Sequence, residues 1–267
     1  MESRISKSFA ELGKAREKGF IAYVTAGDPS LEETVDIALE LADAGVDLIE
    51  LGIPFSDPLA DGRVNQEAAE RALAHGATWG GILETVSRIR EETDIPMIFF
   101  SYLNPLYAAG FDSALRDAKA AGIDGMLILD LPIEESQPFD DAFAGNGLDK
   151  ISLITPTTPA TRMERIMQSS SGFIYCVSRT GVTGAQKSIE DGARKVLEET
   201  RRHTELPLAL GFGISTPEQA ASAAQMADAV VVGSAIVQRF HDEPHTAAGR
   251  KAAASWVAEM VSAVKEI

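Results

Sequence analysis

FIAYVTAGDPSLEETVDIALELADAGVDLIEL, residues 20–51, reads as strand, turn, helix, turn and strand. The two apolar runs, 20–23 and 47–51, are apolar on both faces, as buried parallel strands are. Between them Leu31, Val35, Ala38, Leu39, Leu41 and Ala42 recur at helical spacing, and Glu33, Asp36 and Glu40 supply the polar side of a helix over 30–44. The turn after Val24 reads Thr-Ala-Gly-Asp-Pro, which is no dinucleotide-binding fingerprint.

The same unit repeats outward along the chain. Further strands are predicted at 97–100, 125–129, 150–153, 173–177, 208–211 and 229–232, and a second long helix at 188–203. Pro and Gly punctuate the joins at Gly27, Asn104-Pro105, Leu131-Pro132, Thr155-Pro156, Gly213 and Thr216-Pro217. Eight β/α alternations fit a closed (β/α)8 barrel better than a doubly wound open sheet. Extra helical segments are expected at 5–18, 65–75 and 247–267, the first placed to plug the barrel floor and the other two to extend the outer layer. No low-complexity linker divides the 267 residues, so 1–267 reads as one α/β barrel domain.

Composition narrows the function. A net charge of −16 disfavours nucleic acid and anionic membranes. No apolar stretch approaches the roughly 18–20 residues a membrane span needs, and the N-terminus lacks an apolar signal core. A single cysteine, Cys176, rules out an internal disulfide and a cysteine-based zinc site. These features point to the cytoplasm.

Barrel active sites gather at the C-terminal ends of strands. Glu50 ends the second strand and Asp61 follows in the loop. A carboxylate among Leu and Ile is expensive unless paired, and its pKa should rise. Glu50 reads as functional ahead of a structural ion pair; Asp61, before Gly62, reads equally well as a turn residue. Glycine loops follow strands six (178–184), seven (211–213) and eight (Gly233-Ser234, opening a helix at 235–240). Backbone N–H groups there can hold an anion without lysines, which suggests a small phosphorylated substrate with its phosphate across the pocket from Glu50.

Other polar residues read as structural. Tyr102 and Tyr175 read as packing plus one hydrogen bond, Cys176 as core, and Glu134 and Glu135 as helix-start acids. Asp130 stays open. The four histidines are expected to face solvent, with no metal-ligand spacing. No lysine sits inside a strand, Lys150 only starting the fifth, so Schiff-base chemistry finds no residue and acid–base catalysis must suffice.

The segments 25–29, 50–62, 102–105, 130–136, 178–184, 211–213 and 233–234 run in order over nearly the whole chain and closely resemble the tryptophan synthase alpha subunit family. The resemblance implies retro-aldol cleavage of indole-3-glycerol phosphate to indole and glyceraldehyde 3-phosphate. In the family's terms Glu50 is the acid–base residue, and Asp61 the carboxylate facing the indole nitrogen. Gly184, Gly213, Gly233 and Ser234 correspond to phosphate contacts. Tyr175 corresponds to a tyrosine near the glycerol, and Thr183 to a residue that meets Asp61 on closure. Tyr23, Tyr102, Leu127 and Phe212 line the indole pocket. The chain needs no cofactor or metal of its own; pyridoxal phosphate belongs to a beta subunit in an α2β2 assembly, met through Pro54, Phe55, Ser56 and Asp57. Two other readings fit the same residues: a stand-alone lyase, and a non-catalytic phosphate-binding regulatory barrel.

The chain departs from the family pattern at Ala22, where proline is frequent, and after Gly62, where Arg63-Val64-Asn65-Gln66 replaces the usual Pro-x-Ile-Gln. Arg63 could pair with Asp61 and lower its pKa, or face solvent or the partner.

Overall fold

The structure, a computed structural model, describes residues 3–177, 186–211 and 213–267, without the side chains of 186–191. Its elements run α1 (Arg4–Ala15), β1 (Gly19–Thr25), α2 (Leu31–Asp43), β2 (Leu48–Gly52), α3 (Arg63–Ala74), α4 (Trp79–Glu92), β3 (Met97–Ser101), α5 (Leu103–Ala108), α6 (Phe111–Ala121) and β4 (Gly125–Ile128). They continue α7 (Ile133–Asn146), β5 (Asp149–Ile154), α8 (Ala160–Ser169), β6 (Ile174–Val177), α9 (Gln186–Arg201), β7 (Leu208–Gly211), α10 (Pro217–Ala224), β8 (Ala229–Val232), α11 (Ser234–Asp242) and α12 (Ala247–Lys265). The strands pair in parallel in sequence order, and β8 closes on β1.

Alternation along each strand makes two cores. Ile21, Leu48, Ile98, Leu127, Ile151, Phe173 and Ala229 fill the barrel interior. Ala22, Val24, Ile49, Leu51, Phe99, Met126, Cys176 and Val230 face the helical layer. The N-terminal helix does close the floor: Ile5 of α1 is fully buried in the interior core, and Phe9 packs on Phe173 at 5.8 Å between ring centroids. Burying a side chain such as Ile5 contributes about 1.5–3 kcal/mol.

A repeated aspartate ties the strand starts together. Asp47 accepts from Phe20 N (2.7 Å), Asp124 from Met97 N (3.0 Å) and Asp228 from Leu208 N (2.8 Å). Each thereby satisfies an amide at the start of the preceding strand that the ladder leaves open. Asp124 is buried and also holds Arg4 (3.0 Å) and Arg90 (3.2 Å). Sequence reasoning missed this device, although an acid recurs just before β2, β4 and β8.

Lys150 lies one residue inside β5, further in than expected. Its neighbour Ile151 faces the interior, so Lys150 points outward, to Asp140 (2.6 Å) and Ser169 (3.2 Å). His203 is half-buried against Glu199 (3.2 Å), not free in solvent, because it folds back onto the last turns of α9; His75, His241 and His245 are exposed.

Candidate active site

The chain turns from β2 into a loop at Ile53 and re-enters helix at Arg63, two residues earlier than the sequence suggested. That shift sets Asp61 just before the N-cap Gly62 and Asn65 in the first turn of α3. The turn after β1 anchors this helix from the other side, through a bidentate pair between Asp28 and Arg71 (2.8 and 2.7 Å). Val64 and Ala68 then pack over Tyr23 and Phe100 at the barrel mouth.

Glu50 sits in register between Tyr23 of β1 and Ile98 of β3, and is 1 % exposed. Its Oε1 is buried and has no hydrogen-bond partner among the described residues. No ion pair reaches Glu50 among the described residues, and burial alone pushes the carboxyl up to about 8. A carboxyl in that state is mostly protonated at neutral pH, as a general acid should be.

Two tyrosines flank it. Tyr23 is buried and Tyr175 partly buried, and both stay phenolic, held above the ordinary range by desolvation first and by the Glu50 charge second or later. Each ring occupies a notch left by a glycine on the adjacent strand. A Cβ at Gly52 would collide with the Tyr23 hydroxyl, and a Cβ at Gly211 with the Tyr175 hydroxyl. Tyr23 also feels the charge of Asp61.

Asp61 is partly buried, which raises its pKa; hydrogen bonds from Tyr102 and Asn65 pull it back. The Tyr102 hydroxyl donates to Asp61 Oδ2 (2.8 Å) and accepts from Ala60 N (3.0 Å). The hydrogen bond expected of Tyr102 thus goes to Asp61, which it orients. Arg63 does not pair with Asp61. It turns outward to Glu67 (2.7 Å, four residues on in the helix) and is 89 % exposed.

Leu127 faces the interior opposite Phe100. Gly213 is exposed, with open space around it, and Gly233 caps α11, whose first residue Ser234 is exposed. Thr183, Gly184 and Phe212 lie outside the described residues. Asp130 accepts from Leu103 N (2.7 Å) and caps α5, and Glu134 pairs with Arg162 (3.0 Å), as helix-start acids do. Cys176 is buried, its thiol pushed up to about 12. Of the expected partner-facing residues, Pro54 is buried and Phe55 leans on Tyr102 (5.3 Å), while Ser56 and Asp57 are exposed. Leu59, which sequence reasoning passed over, is 91 % exposed. Among the described residues no group of three or more His, Cys, Asp or Glu could hold a metal ion, and no helix is long and apolar enough to cross a membrane.

The family model described as tryptophan synthase alpha chain matches residues 9–266. The chain belongs to the tryptophan synthase alpha chain family. It is 50% identical to the tryptophan synthase alpha chain of Geobacter sp. (strain M21) over 238 residues, 89% of each chain. To that of Geobacter sulfurreducens it is 44% identical over 264 residues, 99% of this chain and 98% of the relative. Among solved structures, tryptophan synthase subunit alpha from Legionella pneumophila aligns over 100% of both chains with a TM-score of 0.92 at 37% identity. A chain of Mycobacterium tuberculosis tryptophan synthase aligns over 99% of both with a TM-score of 0.90 at 30% identity. This alpha chain is a lyase of tryptophan biosynthesis that cleaves indole-3-glycerol phosphate.

Proposed function

We propose that Glu50 and Asp61 divide the cleavage between them. The neutral Glu50 carboxyl gives its proton to C3 of the indole ring, and positive charge develops at the ring nitrogen, beside the Asp61 carboxylate. The ionised Glu50 then takes the proton of the hydroxyl on the adjoining glycerol carbon. As the carbon–carbon bond breaks, its electron pair returns to the ring, releasing indole and glyceraldehyde 3-phosphate. Glu50 ends protonated, so the cycle closes. The observation that carries this reading is the Oε1 of a buried Glu50, without a partner among the described residues, with a carboxyl poised near 8.

A positioned acid–base group accounts for roughly 10²–10⁴-fold. Electrostatics at Asp61 and fixing the substrate by its phosphate supply more. The helix start at Gly233 and Ser234, the open Gly213 and the loop containing Gly184 hold the phosphate. Tyr175 meets the glycerol; Tyr23, Tyr102, Leu127 and Phe212 surround the ring; Thr183 meets Asp61 when the site closes.

The barrel acts as one domain in the cytoplasm, without a cofactor of its own. Its partner is a beta subunit carrying pyridoxal phosphate, in an α2β2 assembly, and the exposed Ser56, Asp57 and Leu59 belong to the contact. The relation to a chain of solved tryptophan synthase supports that partner. Pure protein incubated with indole-3-glycerol phosphate, with and without a beta subunit, tests the reading. Indole should form alone and faster with the subunit. Full turnover without any binding to it would favour a stand-alone lyase, and no indole in either arm would overturn the proposal.

A further inference from the structure

The turn 25–29 carries part of the family resemblance, yet it takes no part in the proton transfers above. It is tied to three elements. Ala26 N donates to the Gly52 carbonyl (2.9 Å), two residues beyond Glu50 on β2. Gly27 N donates to Thr34 Oγ1 (2.9 Å), which fixes the turn to α2. Gly27, at φ +91°, lies so close to the end of α3 that an added Cβ would stand 2.8 Å from the Ala77 Cβ and 3.3 Å from that of Ala72. Asp28 completes this last contact by taking Arg71 Nε and Nη2 on its two oxygens (2.8 and 2.7 Å).

The pair is largely shielded from water. The side chains of Asp28 and Arg71 are 8 % and 25 % exposed, whereas the Arg63–Glu67 pair on the same helix is open to solvent. An exposed pair holds little; a covered fork of two parallel N–H···O bonds fixes angle as well as distance. The start of α3 depends on such an anchor, because Gly62 caps it without a side-chain hydrogen bond. Gln66 Nε2 donates to the Asp61 carbonyl (2.9 Å), so the Asp61 backbone moves with the helix. Arg71 and Asp61 are about 15 Å apart along the helix, so a tilt of about 4° at the clamp displaces Asp61 by about 1 Å. One turn thus grips β2 just past Glu50 and the rear of the helix that carries Asp61.

We propose that the Asp28–Arg71 pair is a positioning device that sets Asp61 at its working distance from Glu50. The inference rests on the roles assigned to those two carboxylates above. Neither Asp28 nor Arg71 handles a proton; both act through where α3 places Asp61.

The test is kcat and KM for indole release from indole-3-glycerol phosphate by Arg71→Met, Arg71→Lys, Asp61→Asn and the two double variants. Arg71→Met removes the fork and keeps the apolar stem. Its kcat should fall roughly ten- to a hundredfold, with KM within a few-fold, because the phosphate contacts stay in place. Arg71→Lys keeps the charge but not the fork, so its kcat should fall several-fold. If Arg71→Met fails to fold, Arg71→Lys carries the same test. The deciding readout is the cycle with Asp61→Asn: once the carboxylate is gone its position has no value, so either Arg71 change should then lower kcat by less than about twofold more. The same fold-loss in both backgrounds overturns the inference, since a residue that only supports the fold acts alike in each. Unchanged kcat in the folded Arg71 variants overturns it too. Near-normal turnover by Asp61→Asn alone would refute the role of Asp61 itself, while lost turnover there with independent Arg71 effects would refute only the inference.

Discussion

Replacing Glu50 by glutamine should stabilise the protein, and by an amount set by pH. In the unfolded chain the carboxyl releases its proton at the ordinary value of 4.5; in the folded barrel, burial delays this to about 8. Between those values the unfolded state has lost a proton that the folded state keeps. Rising pH therefore favours unfolding across the window, and the penalty is complete above the folded value. At about 1.36 kcal/mol per pH unit the full penalty comes to about 5 kcal/mol. It amounts to about 1 kcal/mol at pH 5 and about 3 at pH 7. Glutamine does not titrate, so Glu50→Gln escapes this penalty, while any change in packing or hydrogen bonding adds an offset that pH does not alter. Urea unfolding of both proteins from pH 5 to 9 measures the difference. It should grow by several kcal/mol over that range with the urea slope unchanged. A constant offset would show that Glu50 ionises in the folded barrel as readily as in water, and would remove the physical basis of its acid role.

Three other substitutions probe the scaffold. Gly52→Ala drives a Cβ into the Tyr23 hydroxyl and should cost about 1–3 kcal/mol and lower kcat/KM, whereas Gly80→Ala, in open space on α4, should stabilise by up to about 1 kcal/mol; thermal melts and indole assays distinguish them. Asp124→Ala leaves the largely buried Arg90 without its carboxylate and an open amide at Met97, and should cost about 3–5 kcal/mol in thermal unfolding while sparing activity at low temperature. Arg63→Ala should leave both the melting temperature and the acid limb of the activity profile unchanged, since its pair with Glu67 is exposed and does not involve Asp61.

The barrel was legible because each strand is a short apolar run between turn residues, and β7 and β8 fall at the residues expected, 208–211 and 229–232. Boundaries slipped where polar side chains serve the backbone. Asp47 looks like the first strand residue, but its carboxylate is spent on Phe20 N and the strand starts at Leu48. Glu50 was legible because an acid inside an apolar strand has few structural uses. Tyr102 was read as packing plus one hydrogen bond, but nothing local in sequence shows that the bond goes to a loop 41 residues away. Asn65 and Arg63 are neighbours on one helix turn, and only the start of α3 at Arg63 decides which of them is partly covered and which faces water. The conspicuous charge turned outward and the neutral amide turned in.

The most direct test of the account is indole release from indole-3-glycerol phosphate by the Glu50→Gln protein beside the parent at neutral pH, with substrate affinity measured in parallel. Glutamine keeps the size but can neither give nor take the proton, so kcat should fall by about 10²-fold or more while the substrate dissociation constant stays within a few-fold. Turnover within a few-fold of the parent would contradict the central claim that Glu50 moves the protons.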